Sequence, residues 1–328
     1  MIVETTTSRV VITRIDRDGQ AERDRAELRA ALLRSPREIP SRFFYDDHGS
    51  RLFERICELP EYYQTRTEHA LLAAIADQVV GLSGADELVE IGAGSAVKTR
   101  TLLDAMRRAG RLQRYVPVDV AEGTIRRAAD ELAAEYPELS VHGIVGDFTA
   151  DLGRLPASAR RLVIFLGGTI GNLRPAEADA FLRRRAREMA PGDHFLLGVD
   201  LVKPVARLEA AYNDSAGVTA AFNRNILRVV NRLAGGDFDP AAFRHRAFYD
   251  PARRWIEMRL VALQPQRVLL PGLDLALDLA AGEEILTEIS AKYDREQAEA
   301  LLAAAGLAPR QWFTDPEGLF GLALAVKG

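Results

Sequence analysis

The sequence predicts an α/β fold built on a parallel sheet, and two observations carry that reading. Five short apolar runs, Glu87–Ile91, Tyr115–Val118, Val141–Val145, Leu162–Leu166 and His194–Val199, alternate with helical patterns at Lys98–Arg108, Gly123–Glu135 and Pro175–Met189. Strands alternating with helices wind right-handed crossovers around a parallel sheet. The second observation is the join between the first run and the first helix, Glu87-Leu88-Val89-Glu90-Ile91-Gly92-Ala93-Gly94-Ser95-Ala96-Val97-Lys98-Thr99-Arg100. A buried run carries an acid, a Gly-x-Gly turn follows, and a polar helix start comes next. Glycines at such a turn let the backbone pass close to a bound nucleotide, with no Cβ in the way. In open sheets of this kind, ligands bind beyond the carboxyl ends of the strands.

The flanking elements follow in order. Residues 1–20 read as polar and frayed, and Ala21–Arg34 as a charged helix. Arg42–Ser50 sets aromatics beside acids and a glycine and reads as a loop, followed by a short helix Arg51–Cys57. Thr65 is positioned to cap the next helix, with Glu68 three residues on as its box partner. After Asp200 the pattern changes. A long helix Gly217–Leu233 precedes β-like pieces at Arg244–Tyr249, Arg254–Ala262, Gln266–Leu270 and Leu273–Leu279, with turn signals at Asp250-Pro251 and Pro271-Gly272. These read as an antiparallel insertion. A helix at Arg295–Ala305 and a pair of runs, Gln311–Phe313 and Leu319–Val326, end the chain as a closing hairpin.

Composition narrows the function. The 328 residues suffice for one large or two smaller domains, and 48% hydrophobic with 27% charged residues is ordinary for a soluble protein. A net charge of −4 gives no basic surface for nucleic acid, so none is expected as a partner. Cys57 is the sole cysteine and the five histidines lack His-x-x-x-His spacing, so neither a disulfide within the chain nor a metal site is expected. No basic-then-apolar leader and no membrane-length apolar run are seen, so the expectation is a cytoplasmic protein that does not enter membranes.

Three further features stand at successive strand ends. Asp119 ends the second run, where an acid accepts from ribose hydroxyls. Gly146-Asp147-Phe148 follows the third, where Asp147 suits an adenine amino group and Phe148 its ring. Gly167-Gly168-Thr169-Ile170-Gly171-Asn172-Leu173 follows the fourth, where substrate and cofactor usually meet. Singly, each has an ordinary explanation: a helix cap, a turn start, a tight bend. Together, in strand order, they point to a nucleoside ligand. The nicotinamide fingerprint wants a third small residue where Val97 stands. The turn is therefore more similar to the first motif of S-adenosylmethionine (SAM) methyltransferases.

The chain as a whole resembles the histidine-specific Nα-methyltransferases of ergothioneine biosynthesis, from about Pro40 to Val326. The motifs are Phe44-Tyr45-Asp46, Leu59-Pro60-Glu61-Tyr62-Tyr63, Gly92-x-Gly94 with Lys98-Thr99-Arg100, Phe165–Asn172, Gly198–Lys203, Phe222-Asn223-Arg224-Asn225 and Leu286–Ser290. The resemblance implies a Rossmann-like class I SAM methyltransferase domain, residues 67–201 and 293–328. It also implies an α+β substrate-covering domain, residues 14–66 and 202–292. It implies SAM as co-substrate, held by Gly92, Gly94, Lys98, Asp119, Asp147, Phe148 and Gly167. Tyr62, Asn172 and Tyr212 match positions that hold the amino and carboxylate groups of the amino acid. Glu288 and Ser290 match positions that read the imidazole, and Met258 one that lines its pocket. Outside this likeness, Tyr62 and Met258 would be packing residues and Glu288 a solvated acid. Tyr45 is the candidate for contacting the amine, through water or through its π-face.

The implied reaction converts L-histidine, through its mono- and dimethyl forms, to hercynine. A monomer acting on small molecules is expected. The alternatives are SAM-dependent methylation of another amine such as tryptophan, a NAD-dependent oxidoreductase, and a ligand-binding relative without activity. An indole offers one donor and no ring acceptor, which sets the Glu288–Ser290 pair against tryptophan.

Overall fold

Glu87–Ile91 is buried along its whole length, and its side chains alternate between two cores. Leu88 packs with Leu72, Val79, Leu102 and Leu103, whereas Val89 and Ile91 pack with Phe181, Leu182 and Leu302. A strand that is apolar on both faces needs helices on both faces. Helices Tyr63–Ser83, Thr99–Arg108 and Glu122–Glu135 feed the first core; Pro175–Glu188 and Arg295–Ala304 feed the second. Each fully buried Leu or Phe in these layers contributes about 1.5–3 kcal/mol of transfer free energy.

The computed structural model describes residues 2–7, 9–15, 19–94, 96, 98–146 and 160–328, the first six as backbone alone. Asp147, Phe148 and Val97, singled out above, lie outside the described residues. The main sheet runs Ile2–Thr7, Val10–Ile15, Ser140–Val145, Arg114–Asp119, Glu87–Ile91, Arg161–Phe165, His194–Asp200, Phe320–Lys327, Leu307–Thr314. From Val10–Ile15 to His194–Asp200 every pairing is parallel. Phe320–Lys327 enters antiparallel and Leu307–Thr314 completes the hairpin. The order and the closing hairpin are those expected of a class I SAM methyltransferase domain. The strand order reverses at Glu87–Ile91, which opens a crevice beside its carboxyl end.

The N-terminus corrects the sequence reading. Residues expected to fray form an antiparallel pair, Ile2–Thr7 with Val10–Ile15, and the second of these extends the sheet beside Ser140–Val145. Ile12 is buried in the first core, and Gly143 opposite it leaves no room for a Cβ, which would sit 2.6 Å from the Ile12 Cδ1. One compact unit accordingly comprises Met1–Arg17, Gln64–Val202 and Tyr293–Gly328, and the other Asp18–Tyr63 and Lys203–Lys292. Arg14, Ile15, residues 64–66 and Val202, expected in the auxiliary domain, fall in the first unit.

The second unit holds a four-stranded sheet, ordered Arg37–Glu38, Glu284–Ala291, Trp255–Ala262, Phe243–Asp250. Helix Val218–Ala234 buries Val218, Phe222, Ile226, Val230 and Ala234, one every four residues and so along one face. Glycines with positive φ bracket it, Gly217 at 71° and Gly235 at 60°. The segment read as a loop is instead a 3-10 turn, Ser41–Phe44, leading into helix Asp47–Glu58. Asp46 caps that helix by accepting from Gly49 N at 2.7 Å. A Cβ on Gly49 would lie 1.7 Å from the Phe44 carbonyl oxygen, so only glycine fits. Strand Glu284–Ala291, absent from the sequence reading, lies centrally in this sheet.

Candidate active site

In the first unit the Gly-x-Gly turn lies at the strand switch. Gly92 and Gly94 have φ of 74° and 50°, values that glycine adopts without strain. Among the described residues, a Cβ at either would meet nothing within 4 Å, which leaves space beside the turn. Gly92 N donates to Val118 O at 2.8 Å and Gly94 N to Asp119 Oδ2 at 3.0 Å, while Ala121 N donates to Asp119 Oδ1 at 3.0 Å. The Asp119 carboxylate is thereby fixed at the end of its strand, partly exposed, with lone pairs remaining on both oxygens. An open glycine cradle beside a fixed carboxylate fits an adenosyl ligand with its ribose hydroxyls.

Glu68 organises the neighbouring loops, and it does not act as the partner of a Thr65 cap: the helix already begins at Tyr63. Its buried carboxylate pairs with Lys98 and accepts from Gly167 N at 2.7 Å. It also fills the space over Gly198, where a Cβ would come within 2.5 Å of Oε1. Lys98 and Gly167, both expected at the cofactor, are therefore held by one residue that the cap reading misassigned. Asn172 closes the 3-10 turn Thr169–Asn172, partly exposed. Glu90, the acid before the glycines, is buried and accepts from Thr99 and Tyr115. Burial pushes its pKa up to about 7 despite those bonds.

The second unit carries the expected amino-acid-reading residues other than Asn172. Glu288 and Ser290 project from one face of Glu284–Ala291, two residues apart. The Glu288 carboxylate is partly accessible to solvent yet enclosed enough that burial raises its pKa to about 7, against the opposing charge of Lys292. A group both enclosed and accessible lies in a recess. Met258 is buried and faces Glu288 across the strand pair, beside a bulge. The Tyr212 hydroxyl donates to Ser290 Oγ at 2.8 Å. Tyr62 meets Tyr212 edge-on at 6.5 Å and Phe53 at 6.2 Å, and Tyr45 meets Phe53 at 5.8 Å and Phe222 at 5.9 Å. Tyr45, Tyr62 and Tyr212 thus share one aromatic array. Burial, with Tyr212 next, raises the Tyr62 hydroxyl well above its usual range, so it stays protonated.

Two groups of residues escaped the sequence reading. Lys292 continues the Glu288–Ser290 face by one more alternate position and bonds both Ser290 and Tyr212. Its rarity was the available signal: the arginine-rich chain has only four lysines. The other is a buried relay. Thr287 Oγ1 donates to Asn223 Oδ1 at 2.6 Å, Asn223 Nδ2 bonds His245 Nδ1 at 2.8 Å, and His245 Nε2 bonds the Tyr212 carbonyl at 2.9 Å. Burial lowers the His245 pKa, which keeps the ring neutral and suits a donor at Nε2 and an acceptor at Nδ1. This relay fixes the backbone of Tyr212. Among the described residues, no group of three or more His, Cys, Asp or Glu is placed to hold a metal ion, and no helix is long and apolar enough to cross a membrane.

The model of the histidine-specific, SAM-dependent methyltransferases matches residues 24–327. The chain belongs to this family. It is 50% identical over 310 residues to a histidine N-alpha-methyltransferase of Mycolicibacterium smegmatis, covering 94% of this chain and 97% of that one. It is 47% identical over 303 residues to the protein of the same name from Mycobacterium tuberculosis, covering 92% and 94%. Ergothioneine biosynthesis protein 1 of Neurospora crassa is 30% identical over 313 residues, 89% of this chain and 33% of the fungal protein. As a SAM-dependent methyltransferase, the enzyme takes a small-molecule substrate, and the dinucleotide oxidoreductase alternative is set aside.

Proposed function

We propose that the enzyme methylates the α-amino nitrogen of L-histidine three times, giving hercynine in ergothioneine biosynthesis. The observation that carries this is the pairing of Glu288 with Ser290 on one strand face. A carboxylate accepts from one ring N–H and a hydroxyl satisfies the other ring nitrogen, which is the hydrogen-bonding pattern of a neutral imidazole. The names of the bacterial and fungal relatives support the same reading.

SAM, when bound, supplies an electrophilic sulfonium methyl. Gly92, Gly94, Asp119 and the Gly167 loop would hold it. The chain's own task is to present an unprotonated amine in line and to exclude water, and most of the acceleration comes from that positioning. Asn172 has amide donors and an acceptor for the amino-acid head, and Tyr62 offers a protonated hydroxyl. Tyr212 joins the two ends: its family role is at the head, and its hydroxyl bonds Ser290 at the ring end. Tyr45 and Tyr62 offer aromatic faces to the ammonium that each transfer produces, which loses its proton to solvent before the next transfer and has none to lose after the third. None of Tyr45, Tyr62 or Asn172 is a carboxylate that would lock a primary ammonium in one pose, so mono- and dimethylhistidine remain substrates. The first unit serves as the SAM domain and the second as the substrate domain.

The test is a time course with purified enzyme, L-histidine and excess SAM, with tandem mass spectrometry locating each methyl. Three methyls on the α-nitrogen are expected. Methylation of a ring nitrogen, or monomethylhistidine as the sole end product, would overturn the proposal.

A further inference from the structure

Lys292 is only 2% exposed. Its Nζ donates to Ser290 Oγ at 2.8 Å and to the Tyr212 phenolic oxygen at 3.1 Å, and it lies 5.0 Å from the Tyr212 ring centroid. An ammonium has protons and no lone pair, so both oxygens must accept from it. Ser290 Oγ also accepts from the Tyr212 hydroxyl at 2.8 Å. A serine oxygen has two acceptor positions, and both are then filled. What Ser290 retains is its own proton. Toward a ligand it is a donor and cannot be an acceptor.

We infer that Lys292 is a specificity-determining residue: by fixing Ser290 as a donor beside the acceptor Glu288, it restricts the recess to rings bearing one N–H and one bare nitrogen. A neutral imidazole meets that condition. An indole brings no bare nitrogen, and a phenyl or thienyl ring brings neither group. An imidazolium brings two donors, one of which would face the Ser290 proton. The positive charge of Lys292 also opposes a cationic ring while favouring the ionised form of Glu288. Lys292 touches the serine and the tyrosine, so it acts through Ser290 and is a positioning residue for the ring contact. The inference rests on the imidazole reading of Glu288 and Ser290 made above.

Lys292→Met keeps the length of the side chain and removes its donors. L-histidine and β-(2-thienyl)-L-alanine, whose five-membered ring has no nitrogen, are titrated by calorimetry into enzyme saturated with S-adenosylhomocysteine. Parent, Lys292→Met, Ser290→Ala and the double variant are compared. The ratio of the two dissociation constants is independent of the folded fraction, so partial misfolding does not disguise the result. Lys292→Met should weaken histidine by about tenfold or more, the loss of a satisfied polar contact. It should change thienylalanine by less than about threefold, and it should add less than about threefold for histidine in the Ser290→Ala background. Equal weakening of both ligands would assign Lys292 to the amino-acid head through Tyr212 and overturn the inference, as would an unchanged preference. A parent enzyme with no preference for histidine would bring down the imidazole reading itself, and this inference with it.

Discussion

Replacing Glu288 by alanine should separate recognition of the ring from everything else the enzyme does. The carboxylate is the acceptor for the imidazole N–H in this account, and its loss leaves that N–H unpaired in a partly enclosed recess. The cost is about 1–3 kcal/mol, or about 5- to 150-fold in kcat/KM for histidine. The structure sets the conditions of measurement. Because burial raises the Glu288 pKa to about 7, only part of the population is ionised at neutral pH. The full effect is therefore expected at pH 8, and at pH 7 the parent loses roughly a factor of two of its advantage. Glu288→Gln keeps one acceptor oxygen and should lose less than alanine. Stability should move the other way. An enclosed, ionised carboxylate is costly to the fold, so Glu288→Gln should be at least as stable as the parent at pH 8. The assay is kcat/KM for histidine and for β-(2-thienyl)-L-alanine at saturating SAM, with urea unfolding alongside. A Glu288→Ala enzyme that favours histidine as strongly as the parent would refute the reasoning.

Three further outcomes are expected. Asp119→Ala removes the acceptor proposed for the ribose and frees the Gly94 amide, so calorimetry should show SAM binding weakened by about tenfold or more; unchanged SAM binding would remove Asp119 from the site. Asn172→Ala should reduce kcat/KM for histidine and thienylalanine alike, since it acts on the shared head, and histamine should be a poor substrate for the parent; equal turnover of histidine and histamine would show that the carboxylate is not read. Burial lifts the Glu90 pKa from 4.5 to about 7 against its bonds from Thr99 and Tyr115, so the folded state holds that proton more tightly than the unfolded chain. Its contribution is therefore lost as pH rises from 4.5 to 7, and Glu90→Gln should show a smaller drop in urea-unfolding stability between pH 5 and pH 8; equal drops in parent and variant would contradict this.

Most of the sheet was legible because its strands are buried on both faces and bounded by turn glycines, so apolar runs such as Leu162–Phe165 stand out. Ile2–Thr7 and three further features were not. Val10–Ile15 is a short run, Val-Val-Ile-Thr-Arg-Ile, in an otherwise polar segment, and it gains its place by pairing with Ser140–Val145, about 130 residues away in sequence, which no local pattern announces. Glu284–Ala291 hides because Ile285, Leu286, Thr287, Ile289 and Ser290 are all buried, so it lacks the two-residue alternation of a half-exposed strand. Glu68 looked like a capping acid, since Thr-x-x-Glu spacing is shared by caps and by chance, and only the approach of Gly167 and Gly198 reveals its task. The candidate site was proposed from residue types at strand ends and in motifs. Its wiring was not legible, because the Lys292–Ser290–Tyr212 contacts join residues 80 apart in sequence through tertiary packing.

The central claim is that this enzyme selects histidine among amino acids and trimethylates its α-nitrogen. One competition experiment tests it most directly: an equimolar mixture of the twenty standard amino acids with excess SAM, resolved by mass spectrometry over time. The account predicts that histidine alone is consumed, passing through mono- and dimethyl forms to a product three methyl groups heavier. Preferential consumption of tryptophan, or of any amino acid whose ring lacks a bare nitrogen, would contradict it.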